Sequence, residues 1–234
     1  MDLGRLVNGE RKINNPKPEN AGSLLIFCEG STEYNYLSYF KAYLEHNLKA
    51  HYSNIILEPI NAEGNAMHVY NYAEDFLNND TNKRKYALYE KHLVFDCDAP
   101  ENIEEVFRLM DKSENEYVID YSNLLFETWL VMHFRILTPD MNNGKSKMYE
   151  AMKIFLGVEN YGSAEKADTG TIKKLLSDDG NKRIREAVEN AKALEKYWSE
   201  LGKTIPDKIK EMNPSVSVHI LIERLLDEIE YSCK

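Results

Sequence analysis

The sequence predicts an α/β fold: a small parallel sheet flanked by helices, with a helical C-terminal extension. Three observations carry that prediction. Apolar runs near residues 24–28, 54–60, 92–96 and 117–120 have the length and the aliphatic and aromatic content of strands. Segments with helical spacing lie between them. Strand starts fall about 25 to 38 residues apart, as a βαβ unit requires. Alternation of this kind argues for parallel strands covered by helices.

The first run, Leu24-Leu25-Ile26-Phe27-Cys28, is apolar without interruption, the pattern of a strand buried on both faces. It runs into Glu29, then Gly30, Ser31, Thr32 and Glu33. Gly30 permits a tight turn, and Ser31 or Thr32 can cap a helix from about Thr32 to Leu48. Tyr34, Tyr36, Tyr39, Phe40 and Tyr43 form an aromatic stripe on that helix, read as core packing. A turn at Asn61–Asn65 precedes a helix over Ala66–Leu77, and the polar stretch Asn78–Lys85 reads as a loop. The third strand ends in Asp96-Cys97-Asp98. Pro100 suits the first turn of a helix over about 101–111. From Ser122 the pattern turns helical: one buried segment to about Phe134, then helices over about 145–156, 169–176, 181–201 and 216–230, with 161–166 a loop.

The 234 residues are 43% apolar, enough for one sizeable core. No run is long and apolar enough to span a membrane, and the first 20 residues lack the apolar segment of a secretory signal. Three cysteines without paired spacing argue against a disulfide framework or a zinc cage, so a reducing cytoplasm fits best. The net charge of −10 excludes nucleic-acid binding by surface charge alone; such a role needs a local basic patch, metal ions in an acidic site, or a partner.

The chemistry concentrates at strand ends. Parallel strands bring Glu29 and the pair Asp96 and Asp98 to one sheet edge, where open α/β sheets bind ligands. Converging carboxylates repel one another unless a cation neutralises them, and all-oxygen donors select Mg²⁺ or Mn²⁺. The alternative for Glu29 is a turn cap. Glu33 falls in the first helical turn, as a weaker ligand or a complement to the helix dipole. Asn123 and Glu127, four apart, would share a face of the buried helix. Glu127 then either pairs with a lysine or arginine or joins the metal site. His133 is a core histidine or a catalytic one. Lys166 is a phosphate contact or simply exposed, as are Arg183 and Arg185. Glycine-rich phosphate loops, a serine nucleophile elbow and CxxC are missing from the sequence, which counts against an NTPase, a dehydrogenase and an α/β hydrolase.

Taken together, Glu29-Gly30-Ser31-Thr32-Glu33-Tyr34, Asp96-Cys97-Asp98 and the block from Ser122 to Phe134 resemble the RloB-like family, whose members read EGxxTE, DxD and SNPxFExWLxxHF. The likeness continues at 161–166, 187–194 and 213–219. Leu124 departs from the usual proline, Val216 from a frequent threonine, and the first motif is one residue shorter than in some members. The family is similar to Toprim proteins, the fold shared by primases, topoisomerases and OLD-type nucleases. The resemblance implies a Toprim-like core over 21–121; the residues themselves read as a helical part over 122–234 packed on it and, from the basic residues, prolines and asparagines of the first twenty, a flexible arm at 1–20. It implies Glu29 as general acid/base and possible metal ligand, Asp96 and Asp98 as metal ligands, and Glu33 and Glu127 as weaker additions; Glu127 and, from its place in the buried helix, His133 are kept as additional catalytic candidates.

RloB-like genes are associated with restriction–modification and phage-defence loci, often beside an ATPase. The expected function is therefore a Mg²⁺- or Mn²⁺-dependent nuclease acting on DNA or RNA as an anti-phage effector. Expected partners are nucleic acid and an ATPase, with a homo-oligomer left open. Two other readings stand beside it: an interaction module or regulatory subunit of that ATPase, whose partner surface the aromatic helix would mark, and a primase-like nucleotidyltransferase using the same metal site.

Overall fold

The structure, a computed structural model, describes residues 22–47, 56–141, 143–176, 181–205 and 208–232; the N-terminal arm read at 1–20 lies outside them. The elements are β1 (Ser23–Cys28), α1 (Ser31–Asn47), β2 (Ile56–Asn61), α2 (Ala66–Asn78), α3 (Asp80–Lys85), β3 (Glu90–Asp96), α4 (Pro100–Met110), β4 (Tyr117–Asn123) and α5 (Glu127–Met132). They are followed by α6 (Lys145–Leu156), α7 (Ser163–Ala167), α8 (Thr169–Leu176), α9 (Lys182–Glu200), β5 (Ser215–Val216) and α10 (Val218–Ser232). The strands form one sheet in the order β2-β1-β3-β4-β5, parallel except for β5. This is an α/β fold of the predicted class, consistent with a Toprim-like architecture. Among the described residues, no helix is long and apolar enough to cross a membrane.

The uninterrupted apolar run of β1 reflects two cores, one on each face of the sheet. Leu24, Ile26 and Cys28 pack with α1 and the C-terminal helices, through Tyr36, Phe40, Trp129, Met152, Ile184, Val188, Leu221 and Leu225. Leu25 and Phe27 pack on the other face with Val69 and Ala73 of α2 and Ile103 and Val106 of α4. Each fully buried aliphatic or aromatic side chain here contributes about 1.5–3 kcal/mol. Tyr36 and Phe40 are buried in this core, Tyr39 and Tyr43 pack partly against it, and Tyr34 is exposed. Cys28 and Cys97 are both free thiols and buried.

Three local expectations are corrected. Residues 80–85 form a helix rather than a loop, because the Asn79 side chain accepts from the Thr81 and Asn82 amides. Residues 163–167 likewise form a short helix, with Glu165 reaching back to the Gly162 amide at 2.9 Å. The largest correction is at residues 122–126. There β4 runs on to Asn123, and helix α5 begins only at Glu127, so Asn123 and Glu127 do not share a helix face. The reason lies elsewhere in the chain: Ser215 and Val216, expected as the approach to and start of the last helix, pair antiparallel with Asn123 and Ser122. Ser217 extends the seam, its amide donating to the Tyr121 carbonyl and its hydroxyl accepting from the Tyr121 amide. Pairing satisfies an edge whose backbone groups would otherwise be left open.

Asn123 anchors this junction. Its Nδ2 donates at 2.7 Å to the carbonyls of both Ile209 and Met212, in a buried position. Asn123→Ala is expected to cost about 1–3 kcal/mol, because it strands two buried acceptors. Urea denaturation monitored by circular dichroism measures this; a loss under a few tenths would show that the anchor is dispensable.

Beneath α10, a charged network crosses the same face of the sheet. His92 on β3 is buried and donates from both ring nitrogens, to Asp120 Oδ2 at 2.6 Å and Glu90 Oε1 at 2.7 Å. Arg224 of α10 donates to both Glu90 oxygens, at 2.7 and 3.3 Å.

Candidate functional site

β1 and β3 are neighbours, and the chain leaves β1 toward β2 on one side and β3 toward β4 on the other. The crevice beyond the C-terminal ends of β1 and β3 is therefore the topological switch point, where ligands of open α/β sheets bind. Glu29 follows the last residue of β1, and Asp96 is the last of β3. Their backbones are stitched together, with the Glu29 amide donating to the Val94 carbonyl at 3.0 Å. Alternation along β3 puts Asp96 on the face of Val94, toward α1 and the C-terminal helices.

A pocket of about 270 Å³ opens there, lined by Glu29, Gly30, Ser31, Thr32, Glu33, Gly64, Asp96, Ser163 and Lys166. The turn into α1 is close: a Cβ at Gly30 would sit 3.1 Å from Glu33 Oε2. Gly64, at φ +142°, leaves no room for a side chain against His68, and its amide donates to the Glu29 carbonyl at 3.1 Å.

Of the residues singled out from sequence, Glu29, Glu33, Asp96 and Lys166 share this pocket. Glu127 is buried beside it. Its Oε1 accepts from the Lys166 ammonium at 2.7 Å and the Tyr161 hydroxyl at 3.1 Å, so the ion-pair alternative holds for Glu127. Lys166 is not simply exposed: its ammonium also sits 4.8 Å over the Tyr149 ring. Asp98 is exposed and outside the pocket lining. His133 is also outside it. Its Nδ1 meets the Trp129 carbonyl at 3.0 Å and its Nε2 the Tyr36 hydroxyl at 2.9 Å, in the buried core. Ser163 and Gly64 were not among the candidate site residues, and Ser31 and Thr32 were read only as helix caps. The turn at 61–65 follows β2, the neighbour of β1, and strand order was the signal that would have placed Gly64 here.

Among the described residues, no three or more His, Cys, Asp or Glu side chains are arranged to hold a metal ion as they stand. The expected convergence of Glu29, Asp96 and Asp98 on one point is therefore not present in this arrangement. Asp98 faces solvent, and Glu29 spends Oε2 on the Asp96 amide at 2.9 Å. The donor chemistry still fits a hard cation: the pocket offers carboxylate oxygens, and Asp96 Oδ1 is buried without a hydrogen-bond partner.

The electrostatics fit the same demand. Burial lifts Glu29 to about 8, opposed by the Asp96 amide and reinforced by Glu33 and Asp98. Burial lifts Glu33 to about 7, with the Glu127 charge adding to it and Lys166 opposing it. Asp96 is raised well above the carboxylate range, by burial and then by Glu33, Glu29 and Glu127. Burial alone would lower the Lys166 ammonium, but Glu127 outweighs it and raises it. Fully ionised, these carboxylates would outnumber the one ammonium, so protons or a cation must make up the difference.

The family model described as RloB-like protein matches residues 24–225. No curated protein and no solved structure matches the chain. Its match spans β1 through most of α10, including every pocket residue, and the chain belongs to the RloB-like protein family.

Proposed function

We propose that the chain is a nuclease of Toprim type, a divalent-metal-dependent phosphodiesterase that serves as an anti-phage effector under the control of an ATPase partner. The observation that carries this reading is the placement of Glu29 and Asp96 at adjacent strand ends of the switch point, with one Asp96 oxygen buried and unpartnered. Asp96, Glu29 and Glu33 are the residues that would hold the ion, and Asp98 would join at the rim. When bound, Mg²⁺ or Mn²⁺ supplies polarisation of the scissile phosphate and stabilisation of the leaving oxygen. Burial and the neighbouring carboxylates make Glu29 readily protonated in the metal-free pocket, and its place at the end of β1 suits it to exchange a proton with a reacting oxygen. Lys166 and Tyr161 hold Glu127 in place behind the pocket.

Purified protein is expected to cleave DNA or RNA with Mg²⁺ or Mn²⁺, to stop when EDTA is added, and to incorporate no labelled nucleotide on a primed template. Cleavage that persists in EDTA would refute the metal requirement. Template-directed incorporation would move the assignment to a nucleotidyltransferase.

A further inference from the structure

The short helix α7 brings Lys166 into the carboxylate pocket from the C-terminal half of the chain. The Asn35 side chain of α1 donates to the Ala167 carbonyl at 3.0 Å, which docks α7 against the helix that carries Glu33. The lysine side chain is only 27% exposed, so its charge acts in a partly desolvated space. Glu29, Glu33 and Asp96 line the pocket with it, and Glu127 lies in direct contact. Lys166 is the single basic residue among those lining the pocket. Four carboxylates therefore have one ammonium between them, paired with Glu127 at 2.7 Å and lining the same pocket as the oxygens a metal ion would take.

We propose that Lys166 is a built-in counter-cation that competes with a divalent ion for the carboxylate pocket, so that the docking of α7 sets the metal affinity of the site. The inference rests on the metal-dependent reading above. Its physical content is simple: an ammonium and a divalent ion near the same carboxylates repel each other, and each lowers the other's occupancy. Release of Lys166 would leave the pocket with uncompensated negative charge and raise its demand for a divalent ion. A partner that moves α7 would then switch metal binding without touching a carboxylate.

The test is Mn²⁺ titration by isothermal calorimetry on the full chain, with folding checked by circular dichroism. Lys166→Met is expected to bind Mn²⁺ about tenfold tighter or more, and Lys166→Arg, which keeps the charge, to bind like the wild type. Because Lys166→Met leaves the buried Glu127 without its ion-pair partner, with only the Tyr161 hydroxyl donating to it, the double variant Lys166→Met/Glu127→Gln is measured beside it. It removes both charges and is also expected to bind more tightly than wild type. Mn²⁺ affinity equal to wild type in both variants would overturn the counter-cation role and leave the metal reading standing. Absence of Mn²⁺ binding in the wild type and in both variants would overturn the metal reading as well.

Discussion

Glu29→Gln is expected to lower metal-dependent cleavage by about 10²–10⁴-fold, the contribution of a positioned proton carrier, while leaving the fold intact. The substitution keeps size and shape. The glutamine carbonyl still accepts the Asp96 amide that Glu29 Oε2 accepts at 2.9 Å, so the β1–β3 junction is preserved. What disappears is a carboxyl group lifted to about 8 by burial, with Glu33 and Asp98 adding to the shift. Removing a group that burial already penalises should leave the melting temperature equal or higher. The combination of lost cleavage and unchanged or raised melting temperature separates a chemical role from a structural one. Asp96→Asn/Asp98→Asn should also abolish cleavage, and it should weaken Mn²⁺ binding more than Glu29→Gln does, since Asp96 offers the unpartnered oxygen. Full activity in Glu29→Gln would remove the assignment.

The second large effect concerns pH and lies away from the pocket. His92 is held between Asp120 and Glu90. Burial alone would lower its pKa, but the two carboxylates outweigh burial and raise it from 6.5 to about 9. A folded value above the unfolded one means that protonation favours the fold. The contribution is full below about pH 6.5 and is lost as pH rises through about 9. Its size is roughly 3 kcal/mol, at about 1.4 kcal/mol per unit of displacement. Glu90 behaves oppositely: its bond to His92, and then Arg224, holds it at about 2, so its part is present above the ordinary carboxylate range and lost only in strong acid. Urea midpoints measured from about pH 6 to pH 10 should fall across the upper window. Asp120→Asn should flatten that fall and itself cost about 3–5 kcal/mol near neutrality, as breaking a buried pair does. A profile as steep in the variant as in the wild type would exclude His92 as its source.

The strand ends were legible because an apolar run that stops at a carboxylate states both burial and position. Glu29 and Asp96 needed only the assumption of parallel strands, and the sheet order then places them side by side. Asp98 was legible as a neighbour but not as an exposed residue, because the chain turns away after β3 toward Pro100. The pairing of Glu127 with Lys166 was open from sequence, since nothing local says which of several cations a buried carboxylate finds. The strand at 122–123 was hidden for a related reason. Its partners, Ser215 and Val216, lie in a distant segment, and the apolar residues after Ser122 imitate a helix until that pairing is known. The His92 network escaped notice altogether: Glu90, His92, Asp120 and Arg224 carry no joint pattern until β3, β4 and α10 are superposed.

The hydrogen bond from Asn35 to Ala167 joins positions 132 residues apart. Two walls of the pocket, the β1–α1 turn and the end of β3, belong to the first half of the chain, while Lys166 and Ser163 come from the second. During synthesis the acidic strand ends leave the ribosome well before the segment that completes the pocket. Closing so long a loop is an entropic cost that non-local contacts repay only afterwards. The pocket is therefore assembled late, and a growing or truncated chain carries its carboxylates without the finished site. In a protein proposed to cut nucleic acid, the counter-cation of the site is then made after all of the carboxylates around it.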